Sequence, residues 1–419
     1  MTHRLMALVG MTALLAASSP AAAAVKAPSR DAKVWAAAQK ALPDQLKLLE
    51  QVVNLDSGTG DIDGGRKVAA LLAPRLAAMG FSVETLPAEA PGLAENIVAT
   101  LKGGGKGRVL LIGHIDTVFG PGTVGKRPFR ADAERAYGPG VVDEKGGVVE
   151  TIQALQILHD LGFRDFKQIV LLLETSEERG SPGTLKLIDR LLADTDAELN
   201  VEPAGEHDEL TVWRKGSATF HITVKGRAAH AGVAPQDGRN AAAELLNQLH
   251  AANIWPKSGE GLTVNLTLMS AGSRANIIPE DAQAQLNVRV REEADFGKVE
   301  AVLKANALTH QIPDTTVTVS REGAYPPLPN NPGTDALADR ASAIYAALGK
   351  TIGRGGNGGA SESALAAKAG VPALDGLGPV GAAAHSDDEY LELNSLTPRL
   401  YLLSKLIMSL GANPPARIK

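Results

Sequence analysis

The chain has 419 residues, 44% hydrophobic and 21% charged, enough to bury a large core in more than one domain. Its formal net charge is −5, and no run of Lys or Arg supplies the basic footprint that a nucleic acid or an anionic membrane surface requires. Without a single cysteine it can form neither disulfides nor thiolate metal sites, so any metal must be held by His, Asp and Glu.

His3 and Arg4 precede a mostly apolar stretch over residues 5–16, and the alanines at 21–24 offer small side chains for cleavage, the pattern of a secretory signal peptide. Residues 1–24 are therefore expected to be removed on export, leaving a periplasmic or secreted protein that starts near Val25; the alternative is an unusual N-terminal helix of the fold. No later apolar stretch is long and uninterrupted enough to span a bilayer. Strand-like apolar runs at 96–101, 109–113 and 169–173 alternate with helical patterns at 146–161 and 185–192, which predicts an α/β class with a mostly parallel sheet, the first part of a catalytic domain over residues 25–210.

The middle of the chain changes character. Residues 210–213, 218–225, 262–270 and 282–291 alternate like half-buried antiparallel strands, with helical stretches at 240–252 and 295–308 among them. This predicts a smaller α+β unit of four strands and two helices, inserted over residues 211–321. A Pro-rich segment at 326–332 reads as a return linker, and helical patterns at 334–348 and 395–410 complete the catalytic domain over residues 322–419. Residues 353–359 are glycine-rich enough for a flexible or ligand-facing loop, although the Lys and Ser/Thr ending of a phosphate-binding loop is missing.

An ordered set of histidines and carboxylates falls just past the predicted strands, the edge at which open α/β sheets bind ligands. It comprises His114-Ile-Asp116, Asp143 in a glycine-rich turn that begins at Tyr137, the pair Glu177-Glu178, Glu202 in Asn200-Val-Glu-Pro203, and His385 in Ala383-Ala-His-Ser386. Each has an ordinary explanation alone: His114 and Asp116 as a hydrogen-bonded surface pair, Asp143 as a helix cap, the two glutamates as an acidic first helical turn. Together they offer five ligands of the kinds a pair of zinc ions needs, His114, Asp143, Glu178, Glu202 and His385. Asp116 would accept the second ring N–H of His114 and fix its tautomer. Glu177 remains as the general base that takes a proton from the attacking water and returns it to the leaving nitrogen of an amide. Co2+ and Mn2+ suit the same ligands.

On these residues the chain resembles the co-catalytic zinc peptidases, the family of glutamate carboxypeptidase of the folate-hydrolysing type, acetylornithine deacetylase, succinyl-diaminopimelate desuccinylase and aminoacylase, with the glutamate carboxypeptidases nearest. The likeness spans nearly the whole mature chain, from Leu48-Leu-Glu-Gln-Val-Val-Asn54 through His114-Ile-Asp-Thr117, Tyr137-Gly-Pro-Gly140, Glu177-Glu178, His230-Ala-Gly232 and Asn276-Ile-Ile-Pro279 to His385-Ser386. It implies that His114 and Glu202 hold one zinc, that Glu178 and His385 hold the other, that Asp143 bridges both, and that a non-proline cis peptide follows Asp143. It further implies that the inserted domain makes a homodimer and that His230 and Arg289 reach the substrate, with Asn276 close by. Arg289 would pair bidentately with a free substrate carboxylate, and His230 would stabilise the oxyanion.

The chain departs from the pattern at Ala229, where the family often has Ser, at Glu362, which replaces an Asp, and over residues 322–329, where side-chain selectivity would be set. The sequence thus predicts an exported amidohydrolase with two Zn2+ per subunit, releasing a C-terminal amino acid, glutamate foremost, from small N-acyl or peptidyl substrates. Glu202, where aminopeptidase relatives carry Asp, points to the carboxypeptidase side. The alternatives are an N-acyl-amino-acid deacylase or dipeptidase using the same site, and a periplasmic binding protein without catalysis, which would have no use for Glu177 beside a full ligand set.

Overall fold

The apolar runs at 109–113 and 169–173 form the strands Arg108–His114 and Gln168–Glu174, parallel neighbours at the centre of a six-strand sheet. Its order is Ser82–Leu86, Asn96–Lys102, Gln168–Glu174, Arg108–His114, Ala197–Asn200 and Ala373–Leu374. Only Asn96–Lys102 runs against its neighbours, so the sheet is mostly parallel as expected. The structure is a computed structural model describing residues 29–418, and the leader expected over residues 1–24 lies outside them.

Both faces of the sheet are covered, which is why its central strands are apolar without alternation. Val109 and Leu111 point into the larger core with the helices Ala32–Val53, Lys145–Asp160, Pro332–Ala346 and Leu393–Ala412. Leu110 and Ile112 point the other way, against Leu187, Ile188 and Ala366 of the helices Leu185–Leu192 and Ser363–Lys368. The first helix is capped by Asp31, whose Oδ1 accepts the N–H groups of Lys33 and Val34 while Oδ2 lies 2.9 Å from Lys405 Nζ in the last helix. The sequence pattern does not single out the helix Ile62–Ala78, because Gly64 and Gly65 in its first turn depress helical propensity; Asp61 caps it. No helix among the described residues is long and apolar enough to cross a membrane.

The second sheet is antiparallel throughout, in the order Thr263–Ala271, Asp281–Val290, Gly216–Lys225 and Thr316–Tyr325. The helices Ala241–Ala252 and Ala294–Asn306 share its core, in which Leu245 and Val299 meet Phe220, Leu286 and Val288. Two expectations are corrected here. The strand expected at 210–213, Glu209–Arg214, is not part of this sheet; it pairs in parallel with Gly353–Asn357, and Thr316–Tyr325 takes the fourth place. The glycine-rich segment is therefore mainly a strand, and its glycines are required by close approach: a Cβ on Gly353 would lie 2.6 Å from Glu209 Cγ and one on Gly356 would lie 2.3 Å from Trp213 Cδ2.

Candidate metal centre

His114 ends the strand Arg108–His114, Glu202 follows Ala197–Asn200, and Glu177 and Glu178 follow Gln168–Glu174, so three parallel strands deliver four of the predicted side chains to one sheet edge. Asp143 arrives from the turn before the helix Lys145–Asp160, and the Asp143–Glu144 peptide is cis. His385 lies in the loop between Gly381–Ala382 and Tyr390–Glu392; the latter strand pairs with Arg135–Tyr137, which brings the loop beside Asp143. These six side chains converge although 271 residues separate His114 from His385 (385 − 114).

Asp143 sits between the two histidines. Its Oδ1 lies 3.2 Å from His114 Nε2 and its Oδ2 lies 3.2 Å from His385 Nε2. On one side His114 Nε2 is 3.6 Å from Glu202 Oε1; on the other His385 Nε2 is 3.1 Å from Glu178 Oε2. His114, Asp143 and Glu202 therefore form one trio and Asp143, Glu178 and His385 a second, with all ligand atoms of each trio within 4.8 Å of one another. Glu178 Oε1 is buried with no hydrogen-bond partner. An unpaired buried carboxylate oxygen beside several other carboxylates is an environment that calls for cations, and the donor set fits two divalent ions held by N and O ligands.

His114 Nδ1 meets the backbone carbonyl of Asp116 at 3.0 Å and the Asp116 carboxylate at 3.4 Å. That carboxylate also accepts the backbone N–H groups of Glu177 and Glu178 and, at 2.6 Å, the hydroxyl of Thr59. It fixes the turn that carries the two glutamates.

Further groups hold the site that sequence reasoning did not single out. Arg214 donates to both oxygens of Asp375, at 2.5 and 2.9 Å, and its Nη2 lies 3.2 Å from Glu202 Oε2. Glu389 accepts the backbone N–H groups of Gly140, Val142 and Asp143 and so shapes the turn bearing Asp143. Asp375 offered the signal of a charge set among apolar and glycine neighbours, whereas Glu389 is hidden in the acidic run Asp387-Asp388-Glu389.

The electrostatics follow from burial and crowding. Burial first, and then the charges of Glu362, Glu202 and Glu178, push Glu177 well above the ordinary carboxylate range against the pull of His114. Burial also raises Glu202, to about 7, although Arg214 opposes it. For His385, hydrogen bonds to Asp143 and Glu178 raise it to about 10.

A cavity of about 330 Å³ opens over the centre, lined by Glu177, Arg179, Arg289, Asn287, Tyr325 and Ala360 among others. Arg289 is thus brought to the site as predicted, its Nε donating to Asn287 Oδ1 at 3.0 Å. Glu362 does not line the cavity; it is 2% exposed, and its carboxylate meets Asn200 and the cavity-lining Tyr325. His230 and Asn276 are not brought to this cavity. Ser217 and Thr219, at the near end of Gly216–Lys225, line it, whereas His230 follows the far end of that ten-residue strand, about 30 Å on. There His230 Nδ1 accepts the N–H groups of Gly232 and Val233, and Asn276 accepts the N–H of Ala231 through its carbonyl.

Residues 110–409 match the family described as Peptidase family M20/M25/M40. The chain is 36% identical over 406 residues to carboxypeptidase G2 of Pseudomonas sp. (strain RS-16), covering 96% of this chain and 97% of that one. It is 30% identical over 383 residues to a succinyl-diaminopimelate desuccinylase of Methylorubrum extorquens (strain PA1), covering 84% and 94%. Among solved structures, aminopeptidase PepT from Bacillus cereus ATCC 10987 superposes with a TM-score of 0.71 at 20% identity, covering 88% of this chain and 98% of that one, a likeness of fold.

Proposed function

The chain belongs to peptidase family M20/M25/M40 and is a metal-dependent hydrolase, and we propose that it releases a C-terminal amino acid, glutamate foremost, from N-acyl or peptidyl substrates. The observation that carries the reading is Asp143 standing between His114 and His385 in a site whose cavity also holds Glu177 and Arg289. His114, Glu202 and Asp143 would hold one Zn2+, and Glu178, His385 and Asp143 the other; Co2+ or Mn2+ would suit the same groups. Two such ions supply Lewis acidity that polarises the amide carbonyl and acidifies water.

Glu177 takes the proton of the attacking water as its oxygen bonds to the carbonyl carbon, then passes that proton to the nitrogen as the C–N bond breaks. Arg289 grips the free α-carboxylate of the departing amino acid. Arg179 lines the same cavity, although its guanidinium lies toward Gly60 on the neighbouring groove. Arg214 is committed to Asp375 and Glu202. Tyr325, which lines the cavity within the segment that departs from the glutamate carboxypeptidase pattern, keeps an N-acyl-amino-acid deacylase or dipeptidase as the second reading.

Two wider proposals accompany this. The leader over residues 1–24 supports export to the periplasm or beyond, which the N-terminus of protein recovered from that fraction tests. The edge strand Thr263–Ala271 exposes Leu266, Leu268 and Met269, which supports a homodimer through this edge; His230 and Asn276, remote from their own cavity, would then be free to reach the partner's.

The deciding experiment is hydrolysis of N-acyl and dipeptidyl substrates that differ in their C-terminal residue, by purified protein beside Glu177→Ala, with and without chelator. Release of glutamate that both the chelator and the substitution abolish supports the reading. Release confined to other residues discards the glutamate preference, and no release despite two bound metals discards catalysis.

A further inference from the structure

Behind the metal centre lies a buried polar network that none of the roles above uses. Glu362 is at its middle. Its Oε2 accepts the Nδ2 N–H of Asn200 at 2.8 Å, and Asn200 Oδ1 in turn accepts the backbone N–H of Glu202 at 3.1 Å. Its Oε1 lies 3.2 Å from the Tyr325 hydroxyl and 3.3 Å from Ser181 Oγ. Ser181 donates to Glu174 at 2.7 Å and also meets the Tyr325 hydroxyl.

Each partner belongs to a different piece of the site. Asn200 sets the turn of Glu202, in the first trio. Ser181 closes the turn of Glu177 and Glu178, and it does so at φ 53°, a left-handed conformation that a serine adopts only when its surroundings hold it there. Tyr325 ends the last strand of the inserted sheet and lines the cavity. The backbone of Glu362 is itself fixed, since Ser361 donates to Asp375 and Ser363 donates to Glu198. The length of the Glu362 side chain therefore decides whether one carboxylate spans the two turns.

We infer that Glu362 is a positioning residue for the hydrolytic reaction, holding the Glu202 turn and the Glu177–Glu178 turn in register with each other and with Tyr325 of the inserted unit. This rests on the amidohydrolase reading above. Shortening to Asp withdraws the carboxylate by about 1.5 Å, one C–C bond, so that it can no longer reach both Asn200 and Tyr325. Gln keeps the reach, accepting from Asn200 through its oxygen and donating to Tyr325 through its nitrogen.

The test compares Glu362→Asp, Glu362→Gln and Tyr325→Phe with the parent by kcat and KM on whichever N-acyl amino acid the parent hydrolyses, by Co2+ titration against a competing chelator, and by Tm. The expected result for Glu362→Asp is a loss of about 10- to 100-fold in kcat at little-changed KM, with weaker Co2+ binding. Glu362→Gln should recover most of the kcat, and Tyr325→Phe should show a smaller loss in the same direction. A Glu362→Asp enzyme with parental kcat and Co2+ affinity overturns the inference, as does a loss that merely tracks Tm with Gln no better than Asp. If the parent hydrolyses no N-acyl amino acid, the proposed function falls by itself and the Co2+ titration alone decides: parental affinity in Glu362→Asp overturns the inference, and weakened affinity rescued by Gln sustains it.

Discussion

Arg214 and Asp143 divide the carboxylate of Glu202 and the imidazole of His114 between them: Arg214 Nη2 lies 3.2 Å from Glu202 Oε2, while Glu202 Oε1 faces the same His114 Nε2 that meets Asp143. One oxygen of Glu202 is thus anchored by a buried guanidinium and the other is left for a cation. Arg214 stays charged because Asp375 and Glu202 outweigh the cost of its burial. Arg214→Met should weaken Co2+ binding at least about tenfold and cost about 3 to 5 kcal/mol, since it strands two buried carboxylates. Urea denaturation and Co2+ titration check this; the double substitution Arg214→Met with Asp375→Leu should regain stability without regaining metal affinity.

Glu177 is not part of either ligand trio. Glu177→Gln should therefore keep Co2+ affinity while kcat falls by about 10²- to 10⁴-fold, the range for removal of a positioned acid–base group. Loss of metal binding in step with kcat would instead make Glu177 a ligand.

Arg289 donates to Asn287 and lines the cavity, leaving guanidinium N–H groups for a substrate. Arg289→Met should lower kcat/KM about tenfold to a hundredfold for substrates with a free C-terminal carboxylate, the worth of a charge-assisted hydrogen bond. The same substitution should change little for the matching C-terminal amides, which the parent should already handle poorly.

Metal affinity should depend on pH with a definite sign. Without a cation, Asp143 and Glu178 hold His385 up to about 10, so at neutral pH its imidazole carries a proton that a metal must displace. The folded, metal-free protein binds the extra proton, hence acid favours that state and base favours the loaded one. Apparent Co2+ affinity should rise about tenfold per pH unit for each proton displaced, up to roughly pH 10. A flat profile between neutral and alkaline pH would show that His385 yields no proton on binding.

The edge strand Thr263–Ala271 leaves Leu268 59% and Met269 54% exposed. Leu268→Lys, at an exposed position, should leave Tm nearly unchanged but turn a dimer into a monomer in sedimentation velocity. A parent that is already monomeric removes the dimer from the proposal.

The two central strands were legible because both faces of Arg108–His114 and Gln168–Glu174 are buried, which forces an unbroken apolar run. The metal-ligand candidates were legible for a related reason, as histidines and carboxylates set just past such runs. Glu209–Arg214 was legible as a strand but not in its place, because alternation reveals a half-buried strand and says nothing of the neighbour it pairs with. Its partner Gly353–Asn357 read as a loop, since the glycines that let Trp213 and Glu209 lie against it are the residues strands otherwise avoid.

The order of residue types along the chain was enough to determine the fold class and to single out candidate ligands and a candidate base, since burial and coordination chemistry each restrict which side chains can serve. What the tertiary structure alone decided was direction and company: that Asp116 turns its carboxylate to Glu177 and Glu178, that Arg214 anchors Glu202, and that His230 lies a strand's length from the cavity it was expected to serve. Those contacts join residues far apart in the chain, and their geometry is fixed by packing and loop closure, which no local pattern of side chains encodes.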